Sequence, residues 1–201
     1  MADEESGPVF PAAPPERIEL RDGRALVRAS ADRAAAALIS ISESLDHLRP
    51  WMAWAQEPPT EAGLATVFAA GEELWESRRD FSYSVVEGPE ERVVGGCGLH
   101  GRHDEHALEI GYWVHVDRSG QGIATEVSRA LTDAAFEIPG VERVLITCEE
   151  HNVRSARVPE KLGYRFVGIT VPDGGVCAGR STQAWVAERD DWIARRSEAG
   201  S

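Results

Sequence analysis

The sequence predicts an α/β fold of the α+β kind, a mixed, mostly antiparallel central sheet flanked by helices. Three observations carry that expectation. First, β-rich runs at 81–87, 92–100 and 106–116 follow one another with only short polar turns between them, Gly88-Pro89 and 102–105, as antiparallel neighbours do. Second, Gly120 to Phe136 places Ile123, Val127, Ala130, Leu131 and Ala134 on one helical face and leads into a β-rich run at 141–148, giving a strand, turn, helix, strand unit. Third, two helical segments precede the sheet.

In chain order, Met1 to Glu16 is acidic and rich in proline (Pro8, Pro11, Pro14, Pro15), which predicts a mobile or extended tail. Arg17 to Ala29 reads as two short strands around Asp22-Gly23, a pair that accepts the positive φ angles of a tight hairpin. Ala34, Leu38, Ile41 and Leu45 recur at helical spacing within 31–48, and Pro50 ends that helix. Trp51 and Trp54 lie in the connection that follows. Thr60 is then suited to cap a second helix running to about Ser77. Beyond the central unit, 152–162 reads as a helix ended by Gly163, and 164–171 and 176–188 resume strand character. One helical turn is expected around Trp192 and Ile193. The resulting organisation is a tail at 1–16, a single domain at 17–189 and a polar tail at 190–201.

Composition limits the functional classes. The formal net charge of −13 argues against a broad nucleic-acid face, which needs clustered Lys and Arg, and favours a cationic partner at long range. No apolar run approaches the roughly 20 residues of a membrane span, and the N-terminus lacks a basic stretch followed by an apolar one, so a cytoplasmic protein is expected. Cys97, Cys148 and Cys177 are distant, odd in number and without a C-x-x-C pair, which reads as buried thiols. An anionic cofactor bound by so acidic a chain must be held locally, by backbone amides and helix ends.

Ser119-Gly120-Gln121-Gly122-Ile123-Ala124-Thr125 sits between a strand end and an amphipathic helix. Two glycines let the backbone turn tightly and approach an anion, and the free N–H groups and positive dipole end of the helix attract it. By itself a G-x-G is more readily a plain turn without a ligand. His100, His103 and His106, spaced three apart with Asp104 and Glu105, raise the question of zinc. With no fourth ligand converging in sequence, solvated turn residues are the simpler reading and no metal is expected.

The 119–125 segment resembles motif A of the GNAT superfamily of N-acetyltransferases, Q/R-x-x-G-x-G/A, with Ser119, Gly122 and Ala124 at the key positions. Ser119 departs from the usual Gln or Arg, and Arg118 precedes it. Asn152-x-x-Ser155, continuing through Glu160-Lys161-Leu162-Gly163-Tyr164, is similar to the signature of the Rim-type (RimJ/RimL-like) branch. So are Leu48 to Trp54 and Glu109-Ile110-Gly111-Tyr112-Trp113-Val114. Together the similarity covers about 17–188.

The resemblance implies a sheet splayed between its fourth and fifth strands, here 106–116 and 141–148, with acyl-CoA entering the gap. It places backbone from Trp113 to Val116 (Trp113, Val114, Val116) on the pantetheine and thioester. Arg118, Ser119, Gly120, Gln121, Gly122, Ile123, Ala124 and Thr125 fall on the pyrophosphate. The implied reaction transfers an acetyl group from acetyl-CoA to a primary amine, a protein N-terminus or a small molecule, by direct attack through a tetrahedral intermediate. Such a step needs a neutral amine, a stabilised oxyanion and a protonated thiolate. Glu109 is expected to act as base through water or, as readily, to serve as a strand carboxylate in a structural hydrogen bond or salt bridge, with Glu149 and His151 as weaker base candidates. Ser155 is expected to protonate or hydrogen-bond the thiolate. Asn152 caps its helix and contacts the pantetheine amides or acetyl region, and Trp51 and Trp54 wall the acceptor pocket. A CoA-binding regulatory module without turnover, and transfer of a larger acyl group such as succinyl, are the alternatives. A homodimer is compatible with the sequence.

Overall fold

The computed structural model describes residues 7–171 and 179–199. Eight strands form one sheet in the order β1-β2-β3-β4-β5-β6-β8-β7. They are β1 (Arg17–Glu19), β2 (Arg24–Arg28), β3 (Asp80–Glu87), β4 (Arg92–His100), β5 (Ala107–Val114), β6 (Arg143–Glu149), β7 (Arg165–Thr170) and β8 (Thr182–Glu188). Every neighbouring pair is antiparallel except β5 and β6. Five helices accompany them: α1 (Ala34–Leu48), α2 (Glu61–Glu76), α3 (Ile123–Glu137), α4 (Val153–Leu162) and α5 (Arg189–Ala199).

Local chemistry accounts for the boundaries. Asp22 and Gly23 have φ of 56° and 69°, the doubly left-handed pair that matches the twist of a two-residue hairpin. Thr60 accepts a hydrogen bond from the Gly63 N–H and starts α2. Gly163, at φ 76°, closes α4 as a left-handed cap.

Alternation along β5 assigns the faces. Trp113 packs with Ile41, Leu48 and Ala55 under the α1–α2 pair, whereas Tyr112 reaches Ser155 of α4. Helices α1 and α2 therefore cover one face, and α3 and α4 the other. The main core lies under α3 and α4, around Leu108, Ile110, Val127, Leu131 and Ile146.

Both tails differ from the sequence expectation. Within 7–16 the chain is packed rather than mobile: Phe10 is fully buried against Phe81, its N–H donates to Arg78 O, and Tyr83 donates its hydroxyl hydrogen to Pro15 O. Burying one Phe contributes roughly 1.5–3 kcal/mol, enough to hold an extended Pro-rich segment that carries it. At the other end α5 extends well beyond one turn. Trp192 is buried against Phe136 and Tyr164 and donates its indole N–H to Asp133, which the polar composition around it conceals. Cys97 and Cys148 are buried, and Cys177 lies outside the described residues. No helix among the described residues is long and apolar enough to cross a membrane.

Candidate active site

The β5–β6 ladder runs from Ala107↔Arg143 to Ile110↔Ile146 and then stops, although both strands continue. These are the two strands expected to splay, fifth and sixth here because the first hairpin counts as two. The His115 N–H donates to Val94 O, so odd-numbered residues of β5 turn their backbone groups toward β4. By alternation those of Tyr112 and Val114 face the gap. Val116 is different, because its N–H donates to Ser44 Oγ on α1.

At the wide end of the gap, a short 3-10 turn (Val116–Arg118) precedes Gly120 and Gly122, at φ 81° and 82°. Among the described residues, nothing beyond the adjoining ones lies within 4 Å of where a Cβ on either glycine would stand. The Ser119 N–H closes the 3-10 turn, and the Glu126 N–H starts the helical ladder by donating to Gly122 O. Between them, the N–H groups of Gly122, Ile123, Ala124 and Thr125 have no backbone acceptor among the described residues. They form a bare, positively polarised helix start in an open Cβ-free bend, which fits a pyrophosphate.

Around this loop the charged side chains are occupied. The Arg118 guanidinium is held by Glu87 at 2.9 Å through two nitrogens, so it braces the loop rather than standing free for a phosphate. Glu126, on the first turn of α3, accepts from the Arg21 N–H and from buried Arg24. Gln121 donates its side-chain amide to Asp117 O. The cradle is thus built from backbone, with its side chains tied to the β1–β2 hairpin and β3.

Across the gap, Asn152 Oδ1 accepts from the Ser155 N–H at 3.1 Å and caps α4, as expected. Ser155 Oγ lies 2.9 Å from the hydroxyl of Tyr112, which is also placed to donate to Ser155 O at 3.2 Å. Burial pushes the Tyr112 phenol up despite the Ser155 hydrogen bond, so it stays protonated. The sequence reading passed over Tyr112 as a side chain. Its one signal was the alternation that sets it on the face opposite Trp113.

On the α1–α2 face, Glu109 is nearly buried. Its oxygens accept from Arg102 and Thr147, each at 3.0 Å, and one stands 3.0 Å from His103 Nε2. Burial would raise its carboxyl, but the His103 hydrogen bond, the Arg102 charge and Thr147 outweigh it and hold it at about 2. A carboxylate so saturated has little tendency to take a proton near neutrality. The arrangement describes an anchor joining β5, β6 and the β4–β5 turn, which matches the structural hydrogen-bond reading of Glu109.

Nearby, His100 Nδ1 stands 2.7 Å from Asp80 Oδ2. A Cβ on Gly98 would come 2.9 Å from His100 Cε1, and one on Gly111 3.0 Å from Nε2; a Cβ on Gly96 would collide with Trp113 Nε1. The absence of side chains at these glycines lets both rings lie flat on the sheet. Trp54 meets Trp113 edge-on, with ring centroids 6.3 Å apart, and is half exposed. Trp51 sits partly buried in the turn that ends α1. Arg180 links Glu149 at the end of β6 to Pro50 O beside those indoles. The three turn histidines diverge, to Asp80, to Glu109 and, for His106, to Gly140 O. Among the described residues no group of three or more His, Cys, Asp or Glu side chains is placed to hold a metal ion.

Comparison with known proteins gives a family and a fold. The family described as acetyltransferase (GNAT) domain matches residues 24–165. YnaD of Bacillus subtilis, named an uncharacterized N-acetyltransferase, is 28% identical over 87 residues, 43% of this chain and 51% of its own. The chain spans about half the length of the curated relatives it matches. RimL, a ribosomal L7/L12 alpha-N-protein acetyltransferase solved with coenzyme A, superposes with a TM-score of 0.78 at 17% identity, covering 87% of this chain and 99% of RimL. RimJ of Mycobacterium smegmatis, solved with a CoA disulfide, gives 0.76 at 21% identity, covering 94% and 95%. At these identities the likeness is one of fold.

Proposed function

The chain belongs to the GNAT acetyltransferase family, and on that premise we propose that it acetylates a primary amine, a protein N-terminus or a small-molecule amine, using acetyl-CoA in the cytoplasm. The observation that carries the reading is the bare helix start at Gly122 to Thr125, set at the wide end of a gap whose backbone edge is open at Tyr112 and Val114. RimL and RimJ, with the same fold, were solved with CoA species.

In this proposal acetyl-CoA supplies an activated acyl carbon. The chain's own residues do the rest. Amides of Gly122 to Thr125 hold the pyrophosphate, in place of the Gln or Arg contact that Ser119 replaces and that Arg118, tied to Glu87, does not offer. Backbone on the gap edge of β5 aligns the pantetheine, and the Val114 N–H faces the carbonyl oxygen where negative charge develops. Asn152 keeps its side-chain NH2 for the pantetheine while its oxygen caps α4. Ser155 gives a hydrogen bond or proton to the departing sulfur, its hydroxyl held by Tyr112. Trp54 and Trp113 form an aromatic wall on the face from which the amine approaches.

The test is a thiol-release screen crossing acetyl-CoA and succinyl-CoA with N-terminal peptides, polyamines and aminoglycosides. Acetyl transfer to at least one amine is expected. CoA should also raise the melting temperature well beyond ATP at the same concentration, by mass action on the folded state; equal shifts from both would refute the cradle.

A further inference from the structure

We propose that His100, oriented by Asp80, is the base that takes the proton from the acceptor amine. This rests on the acetyltransfer reading above and goes beyond it, since neither the motifs nor Glu109 supply such a group. His100 is the last residue of β4 and stands opposite Glu109 in the β4–β5 register. Its ring leans back along the sheet, so that Nε2 lies over Gly111. Gly111 immediately follows Ile110, where the β5–β6 ladder ends, so Nε2 is at the apex of the gap. Val114, whose N–H is proposed to face the acyl carbonyl, is three residues further along β5, roughly 10 Å away.

The pairing with Asp80 fixes the tautomer. A carboxylate at 2.7 Å from Nδ1 holds the ring N–H there and leaves Nε2 as a lone-pair acceptor. Asp80 has a second tie, to the Ser82 hydroxyl. Nε2 has no hydrogen-bond partner among the described residues, and the side chain is 17% exposed and fixed in direction by Asp80. Charged groups around it are Asp80 on β3, Glu109 on β5, and Arg102 and His103 of the β4–β5 turn. Arg102 and His103 both bond to Glu109, so neither is committed to His100 Nε2.

The step balances as follows. The neutral amine nitrogen forms a bond to the acyl carbon, and the C–S bond breaks. One N–H proton passes to His100 Nε2 along a short chain of water molecules, and the thiolate receives a proton from Ser155, which is replenished from solvent. The imidazolium is stabilised by Asp80 until it releases its proton.

Three variants test this by thiol release, using acetyl-CoA and whichever N-terminal peptide or polyamine the wild-type protein acetylates. His100→Gln should lower kcat/KM about a hundredfold and remove the acidic limb of its pH profile, with CoA affinity by calorimetry unchanged. Asp80→Asn should lower kcat about tenfold with both KM values little changed, as expected of a positioning residue. His100→Ala should regain turnover with added imidazole, which a purely structural histidine would not allow. Turnover in His100→Gln with an unaltered acidic limb overturns the role of His100 alone. A wild-type protein that binds CoA but releases no thiol with any amine overturns the transfer reading, and this role with it.

Discussion

The two sides of the β5–β6 gap are built differently. The cradle at Gly120 to Thr125 is contiguous in sequence and made of backbone, its helix-start amides left without internal acceptors. The amine-facing side is assembled from β3, β4, β5 and the Pro50–Trp54 connection, and made of side chains laid on glycines: His100 on Gly98 and Gly111, Trp113 on Gly96. A backbone device tolerates any sequence that keeps its two left-handed bends. A side-chain device is retuned by single substitutions. The first arrangement suits a constant group such as a pyrophosphate, the second an acceptor that varies among relatives of one fold.

The largest expected effect tests the backbone side. Gly122→Val forces a β-branched residue to φ near 82°, costing about 1–2 kcal/mol, although no protein atom obstructs the new Cβ. The bend should open or reorient, and CoA affinity should fall about a thousandfold or more, read by calorimetry, with the circular dichroism spectrum kept. Tight CoA binding in this variant would show that the amides of this bend do not hold the pyrophosphate.

Next comes the anchor beneath the side-chain face. Glu109 is held at about 2 against its ordinary 4.5, so its stabilisation is fully present above about pH 4.5 and is lost as pH falls toward 2. Because Arg102 and His103 are each more than a third exposed, the contribution is put at about 2 kcal/mol rather than the full linkage value. Urea melts at pH 7 and pH 3 measure it. Glu109→Gln should be less stable at pH 7 and should flatten this part of the acid dependence; an unchanged difference between the two pH values would remove the anchor role.

These two residues also mark what was legible in the sequence. The cradle could be read because its parts are consecutive, and its geometry follows from local rules of glycine and helix starts. The antiparallel run β3, β4, β5 and the strand, turn, helix, strand unit that follows could be anticipated from short polar turns and helical spacing, whereas the insertion of β8 between β6 and β7 could not. Glu109 could be named but its state could not, because Arg102, His103 and Thr147 converge on it only after β6 is laid beside β5. The same is true of Asp80 and His100, twenty residues apart in adjacent strands. Packing of Phe10 and Trp192 was hidden by their polar and Pro-rich surroundings, where one buried aromatic outweighs the local composition.

Ser155→Ala should lower kcat about a hundredfold while leaving CoA affinity nearly constant, since the hydroxyl acts on the leaving sulfur rather than in binding. Tyr112→Phe, which removes only the hydroxyl that holds Ser155, should give a smaller fall in the same direction. Unchanged kcat in Ser155→Ala would confine Ser155 to its place in the first turn of α4.

The smallest effect is expected at the aromatic wall, and it separates the two sides most cleanly. Trp54 is half exposed and touches the site only through the edge of Trp113, so its removal should leave the fold and the cradle intact. An aromatic contact of this kind contributes about 0.5–1.5 kcal/mol beyond its buried area. Trp54→Ala should therefore raise KM for the amine up to about tenfold, with KM for acetyl-CoA and kcat little changed. If both KM values rose together, the wall would belong to the cofactor path and the division between a backbone side and a side-chain side would fail at that point. A rise confined to the amine would place acceptor selection in the connection between α1 and α2, the segment that the cradle does not constrain.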